Sequence, residues 1–529
     1  MSVVSPCQLN FRLLATRRFV LDNERVISEF VPGTVLRQSL QNRVMPYCKA
    51  PPTVTLADGV ATLSAPPDAP AEGVLFVGGF FPGIHFSADF EALSPGAAAL
   101  LEMAPPDGSL RLRIRAVPGC PVEFTETRHD GHSPADIRHS ATDFRLSTGT
   151  SAPVVPAPPF RLSAVIAGPT ILLVARKDGE VRFLGSVTLD ESPEYDVRRC
   201  DFAGVLKCAA GASLPPGGTA TLSRAAVSLS AGVGQADFCI VTDGPGSKPY
   251  IENGRMFCTF SARAGMKYVK SVASFDPAVF DFRMEGILLT NYGDGDPLLR
   301  NDAVDHLFRD ADGSWKAVAI GWSETAHNLD PATRKGSGLV VCETRENPLH
   351  GIHILRARPL VVGDGIKSED PHLRFDAAAG KWRLSTSSFT PQGLRAHLWE
   401  ANRWDGPYTP LAGPVDFDST GCQMMDFGNQ TFVMTASVDG RHPVYAYPSL
   451  DYVGEWRCDM TLTNDDCSNG RVFTAWAETP EGCPWRYVML AMDRQNFPGM
   501  PTPNWTYGAV YFFAARVADT SDNGFVHSH

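Results

Sequence analysis

Several things are missing from this chain of 529 residues, and each absence excludes something. No apolar run is long enough to cross a bilayer; the stretch from Val165 to Ala175 is broken by Gly168 and Pro169. No stripe of Lys and Arg interrupts a net charge of −11, which argues against nucleic acid and against an anionic membrane surface as partners. The 12 cysteines form no CxxC pair and have no histidine at zinc-ligand spacing. Several of them, such as Cys239, Cys258 and Cys342, sit inside apolar runs, the pattern of buried reduced thiols. The N-terminal Met1-Ser-Val-Val-Ser-Pro-Cys lacks the basic region and apolar core of a signal peptide. A cytoplasmic protein is therefore expected, and a secreted one stays compatible. No metal and no cofactor is expected. The oligomeric state is open, a homo-oligomer included.

What is present is strand and turn. With 42 prolines and 47 glycines, many short strands are favoured over long helices. Residues 1–52 read as a lead-in, with a strand-like stretch at Gln8–Leu14 and a short helix at Thr34–Leu40. Residues 53–236 read as strands separated by turns. Leu110, Leu112 and Ile114 alternate with Arg111, Arg113 and Arg115, the period of a sheet with one buried and one wet face. Asp143–Ser147 reads as a further strand. After the Pro-rich Ser151–Pro159, three runs around an Asp178-Gly179 turn form a meander. A β-sandwich satisfies this pattern.

From residue 237 onward a phrase recurs: an acidic cluster, then a short strand-like run. It appears at Asp243-Gly-Pro-Gly, at Asn301-Asp-Ala-Val-Asp-His-Leu-Phe and at Glu369-Asp-Pro-His-Leu, with weaker echoes at Asp418 and Asn464. The period of about 40–65 residues is that of a propeller blade. The fold class expected is therefore all-β: an N-terminal β-sandwich over 53–236, followed by a five-bladed β-propeller over 237–529. A strand from a terminus would complete the ring; Tyr507–Val517 and Met1–Leu14 are the candidates.

The 53–236 segment resembles the concanavalin and laminin-G-like jelly rolls in pattern. The ordered acids of the second half resemble the five-bladed glycoside hydrolases of families 43, 32, 68 and 130. Arg300-Asn301-Asp302 is similar to the Arg-Asp-Pro phrase of blade two in families 32 and 68, with one residue inserted and no proline. Glu369-Asp370-Pro371 is similar to the Glu-x-Pro phrase of blade three, and to the Glu-Asp-Pro of family 130. The resemblance implies a base or nucleophile on blade one, a second carboxylate on blade two and a proton donor on blade three.

The chemistry stands independently of the resemblance. Cleaving an acetal needs a proton for the leaving oxygen and either a base for water or a nucleophile. Asp243 is the candidate base or nucleophile, although a Gly-Pro neighbourhood also suits a plain turn. Asp302 and Asp305 compete for the second role. Asp302 fits the Arg-adjacent phrase, whereas Asp305 fits the register in which Asp305-His-Leu matches Asp370-Pro-His-Leu. Glu369 and Asp370 compete for the donor. Arg300, His306, Trp322, His372 and Gln423 are the candidate sugar-binding residues. Trp315 and Trp382, each just after a turn glycine, read as core. The implied function is a glycosidase or transglycosylase acting on a carbohydrate, with a furanoside of arabino- or fructofuranoside type as substrate. A non-catalytic glycan-binding protein and a lyase or cyclase on the same scaffold are the rivals.

Overall fold

The structure is a computed structural model that describes residues 5–32, 44–129, 134–139, 153–189, 196–265, 267–293, 295–321, 338–363, 365–458, 474–492 and 509–516. The expected helix at 34–40 and strand at 143–147 fall outside those residues, as does Trp322.

Almost every described element is a strand. Between residues 25 and 229 two sheets face one another. One carries Ala71–Gly79, Ala98–Ala104, Leu110–Ala116, Glu123–His129, Pro134–His139 and Lys207–Leu214; the other is built around Ile84–Leu93, Phe160–Ala167, Thr170–Lys177 and Thr219–Leu229. The inward residues of both sheets form one core, including Leu75, Phe86, Phe90, Leu101, Leu112, Ile114 and Leu173. The alternation of Leu112 and Ile114 with arginines is what places one face of their strand in that core.

The second half, with Asn10–Arg17, folds as five four-stranded sheets, of which the first two are joined edge to edge by parallel pairing of Arg283–Asn291 with Gly351–Pro359 and the fifth carries Arg457–Cys458 as an added short strand. Their innermost strands are Gly234–Ile240, Ala303–Arg309, Ser368–Asp376, Thr420–Phe427 and Thr474–Glu478. Each touches the next, and the last touches the first. The ring is a propeller. Separate apolar cores fill the wedges between neighbouring sheets. Trp315 is buried between the first and second sheets, and Trp382 packs on Phe308 and Phe375 near the third. Both follow hairpin turns, where Gly313 and Gly380 adopt positive φ.

The lead-in is split between the two bodies. Asn10–Arg17 pairs antiparallel with Val510–Ala515 as the outermost full strand of the fifth sheet, so both terminal candidates take part in one sheet. Arg25–Phe30 instead pairs with Thr219–Leu229 of the two-sheet body.

The two bodies meet along the first two propeller sheets. Val165, Ala167 and Leu172 pack with Val233 and Ala264. Gly168, at the tip of a hairpin with φ +57°, lies so close to Asn301 that a Cβ there would sit 2.8 Å from its amide nitrogen. Beside it the buried Arg198 bonds Asp196 twice, at 3.0 and 2.8 Å, and donates to Asn301 Oδ1 at 2.9 Å. Leu299 N donates to Arg198 O at 2.7 Å and Cys200 N to Pro297 O at 2.8 Å, so this turn is tied by a single β-bridge, Arg199 to Leu298, to the chain entering the second propeller sheet.

Candidate active site

Four of the inner strands lose register with their neighbour at the same height. The breaks fall between Ala236 and Cys239, Val304 and His306, Glu369 and His372, and Thr420 and Gln423. A bulge inserts an extra residue and re-aims its side chain. Here the extra residues are Asp237, Asp305, Asp370 and, in the fourth sheet, Gly421. Asp237 and Asp370 take φ near +50°, a conformation that aspartate tolerates better than most residues. All four bulges line one open cleft on the propeller axis, with Phe238, Cys239, Pro371, His372 and Gln423 completing its wall.

The opposite end of the axis is closed. The chain after Asp243 crosses the far ends of three inner strands. Gly244 N donates to Arg309 O at 2.7 Å, Phe375 N to Pro245 O at 2.8 Å, and Asp426 N to Ser247 Oγ at 3.0 Å. Asp243 is exposed and pairs beside Arg309, four residues along the strand from Asp305, or about 13 Å at the rise of a β-strand.

The three carboxyl groups of the cleft have different surroundings. Burial raises the Asp237 carboxyl, but the charges of Arg263 and Lys270 more than offset it and hold Asp237 below the usual carboxylate range. Arg263 contacts Asp237 Oδ2 at 2.6 Å. Asp305 is pushed up to about 7, mainly by burial, with Asp370 and Asp237 adding to the shift and Lys270 opposing it. Its Oδ1 accepts from Lys270 Nζ at 3.3 Å, while its buried Oδ2 has no hydrogen-bond partner among the described residues. Asp370 is also raised, first by burial and further by Asp237. Its Oδ2 accepts three bonds, from Thr420 Oγ1 at 2.7 Å and from Ser387 Oγ and Gly421 N at 2.9 Å. With Oδ2 saturated, the proton of neutral Asp370 belongs on Oδ1.

Two histidines stack beneath the carboxylates with ring centroids 3.9 Å apart and planes 6° off parallel. His306 accepts from Leu373 N at 3.2 Å on Nδ1, so its Nε2–H donates to Thr242 Oγ1 at 2.9 Å. Burial holds it down to about 3 and keeps it neutral. His372 lies at the wall, and its Nδ1 is buried without a partner among the described residues.

The structure brings Asp305, Asp370, His372 and Gln423 to the cleft. It does not bring Asp243, Asp302, Glu369, Arg300 or His306 to its wall. Asp302 is fully buried, accepting from Thr290 Oγ1 at 2.6 Å and Tyr292 Oη at 3.3 Å. Arg300 is spent on Asp296, at 2.9 and 3.0 Å, and on the face of Tyr292. Glu369 is buried on the strand beside Asp370. Trp322 lies outside the described residues. Sequence reasoning passed over Asp237, Arg263, Lys270 and Thr420. Asp237 carried a usable signal, since Asp237-Phe-Cys-Ile aligns with Asp305-His-Leu-Phe when the acids are superposed.

The Asp305 shift makes a prediction about stability. A carboxyl raised in the folded state stabilises it below the unfolded pKa, and that contribution is lost as pH rises through the folded value, here about 7. The buried histidines act with the opposite sign, so the effect is read as a difference. Between pH 5 and 6.5 the wild type should lose about 1.4 kcal/mol per pH unit relative to Asp305→Asn. Urea midpoints taken across that range check it; parallel curves would refute it.

No family model matches the chain, and no curated protein does. Solved structures do. A family 43 β-1,3-galactosidase is similar over 53% of this chain and 90% of its own, at 12% identity and a TM-score of 0.37. A family 117 glycoside hydrolase from Zobellia galactanivorans is similar over 56% and 90%, at 13% identity and 0.35. The NanB sialidase from Streptococcus pneumoniae is similar over 83% and 95%, at 8% identity and 0.30. At these scores the likeness carries no argument about chemistry, which rests on the cleft.

Proposed function

We propose that the protein is a glycosidase or transglycosylase whose reaction takes place at the bulge carboxylates. The observation that carries this reading is the split in proton affinity among three acids from three sheets that line one cleft. Acetal cleavage asks for that split: one carboxylate ionised at working pH and one held protonated.

In this reading Asp237, ionised beside Arg263, is the base or nucleophile. Asp370 is the proton donor, through Oδ1. Asp305, between them, stabilises the positive charge that develops on the sugar ring. His372 and Gln423 bond hydroxyls, and Phe238 and Pro371 offer apolar surface to the ring. A furanoside, of arabino- or fructofuranoside type, is the substrate class. The ring that runs from Gly234 to Ala515 and includes Asn10–Arg17 is the catalytic domain, and the two-sheet body of Arg25–Phe30 and residues 53–229 is a β-sandwich domain that supports it.

The test is release of sugar from a panel of aryl glycosides and oligosaccharides by the wild type and by Asp237→Asn and Asp370→Asn. Turnover in the wild type that both substitutions reduce supports the reading. Equal turnover in all three proteins overturns the assignment of roles. Binding of a glycan with no product formed on any substrate favours a recognition protein instead.

A further inference from the structure

Lys270 lies on the third strand of the first propeller sheet, behind the wall of the cleft, and its placement asks for a reason. It sits mid-strand in Lys267–Phe275 with no solvent exposure, and an ammonium group in such a place is costly unless its bonds are satisfied. Its Nζ donates to Asp237 O at 3.0 Å and to Asp305 Oδ1 at 3.3 Å. One bond holds the bulged backbone of the first sheet; the other reaches across to the second. The carboxylate it meets keeps its other oxygen, Oδ2, buried and without a partner among the described residues.

We propose that Lys270 is a positioning residue: its ammonium ties the Asp237 bulge to one oxygen of Asp305, keeps Asp305 available as an anion, and leaves Oδ2 to the bound sugar. The surroundings narrow the charges that matter. Tyr268, Cys239 and Cys258 face this pair, and burial pushes each of them up, so they stay neutral. His306 and His372 are pushed down by burial and stay neutral as well. That leaves Asp237 with Arg263, Asp370, and the Lys270–Asp305 pair. Arg263 is engaged with Asp237 and lies over the Tyr268 ring, 5.0 Å from its centroid. Among these groups Lys270 alone bonds the Asp305 carboxylate.

The inference rests on the glycosidase reading for its activity arm only, and the experiment separates the two. Lys270→Met removes the charge at similar length, and Lys270→Gln retains a neutral donor. The first measurement needs no substrate: the difference in urea midpoint between each variant and its Asp305→Asn double mutant, followed from pH 5 to 9. Without the ammonium the transition assigned to Asp305 should move up by about one pH unit or more. The second measurement is the acidic limb of kcat/KM on whichever glycoside the wild type turns over, and it should move up by a similar amount. A shifted stability transition with no glycoside turned over by the wild type supports the Lys270 inference and counts against the glycosidase reading. Turnover with both transitions unmoved overturns the Lys270 inference and leaves that reading standing. If neither single variant folds while Lys270→Met/Asp305→Asn does, the two charges need one another, as proposed. If the double variant also fails to fold, Lys270 serves packing and the proposal falls.

Discussion

Asp370→Asn should lower turnover of an oligosaccharide by about 10²–10⁴-fold, the range a lost proton donor costs. On an aryl glycoside with an acidic phenol as leaving group the loss should be far smaller, because that group departs without a proton. Asp237→Asn should be equally damaging on both substrates, since it removes the ionised partner. The structural counterpart is Asp243→Asn. Asp243 is exposed at the closed end of the axis, and its replacement should leave kcat/KM within about twofold, as for surface substitutions. The steady-state rates of these three variants on the two substrates, with matched melting temperatures, check the set. If Asp370→Asn lost as much on the activated glycoside as on the oligosaccharide, Asp370 would not be the donor.

The second large effect is on stability. Arg198→Met should destabilise the fold by about 3–5 kcal/mol, the cost of removing one partner from a buried ion pair. Asp196 has no solvent exposure, and its two bonds from the Arg198 guanidinium would vanish together. The loss is read from guanidinium unfolding. The double variant Asp196→Asn/Arg198→Met should recover part of it, because it also removes the stranded charge. A single-variant loss under 1 kcal/mol would mean that the contacts with Asn301 and Leu299 matter little to the junction.

Much of the architecture was legible because sheet periodicity survives in composition. Leu112 and Ile114 against their arginines, and the glycines after Asp312 and Ala379, mark strands and hairpins with physical causes. The site was legible where two acids share a frame: Asp305-His-Leu and Asp370-Pro-His-Leu are superposable, and the structure puts both acids at the cleft. Asp243 drew attention through its Gly-Pro-Gly sequel, but that sequel makes the turn that crosses the far end of the axis. The acid of the first sheet comes six residues earlier. A bulge hides it, since one extra residue breaks the even alternation that reveals which side chains share a face. Asp302 carries the Arg-adjacent phrase, yet Thr290 and Tyr292, on and just after the outer strand of the first sheet, hold its carboxylate buried. Lys270 was invisible because nothing local distinguishes a buried lysine from a wet one; its environment comes from a strand more than thirty residues away in the chain, at Asp305.

The pairing of Asn10–Arg17 with Val510–Ala515 bears on how the molecule comes into being. The two strands are separated by about 500 residues, and contacts of such long range are slow to form. During synthesis the first strand precedes its partner and has to wait, uncovered, until Val510–Ala515 has been made. The two-sheet body, encoded in between, has its own interior and is free to assemble in the meantime. Closing the circle thus has to follow synthesis of the sheets in between, and an aggregation-prone edge stands open until then.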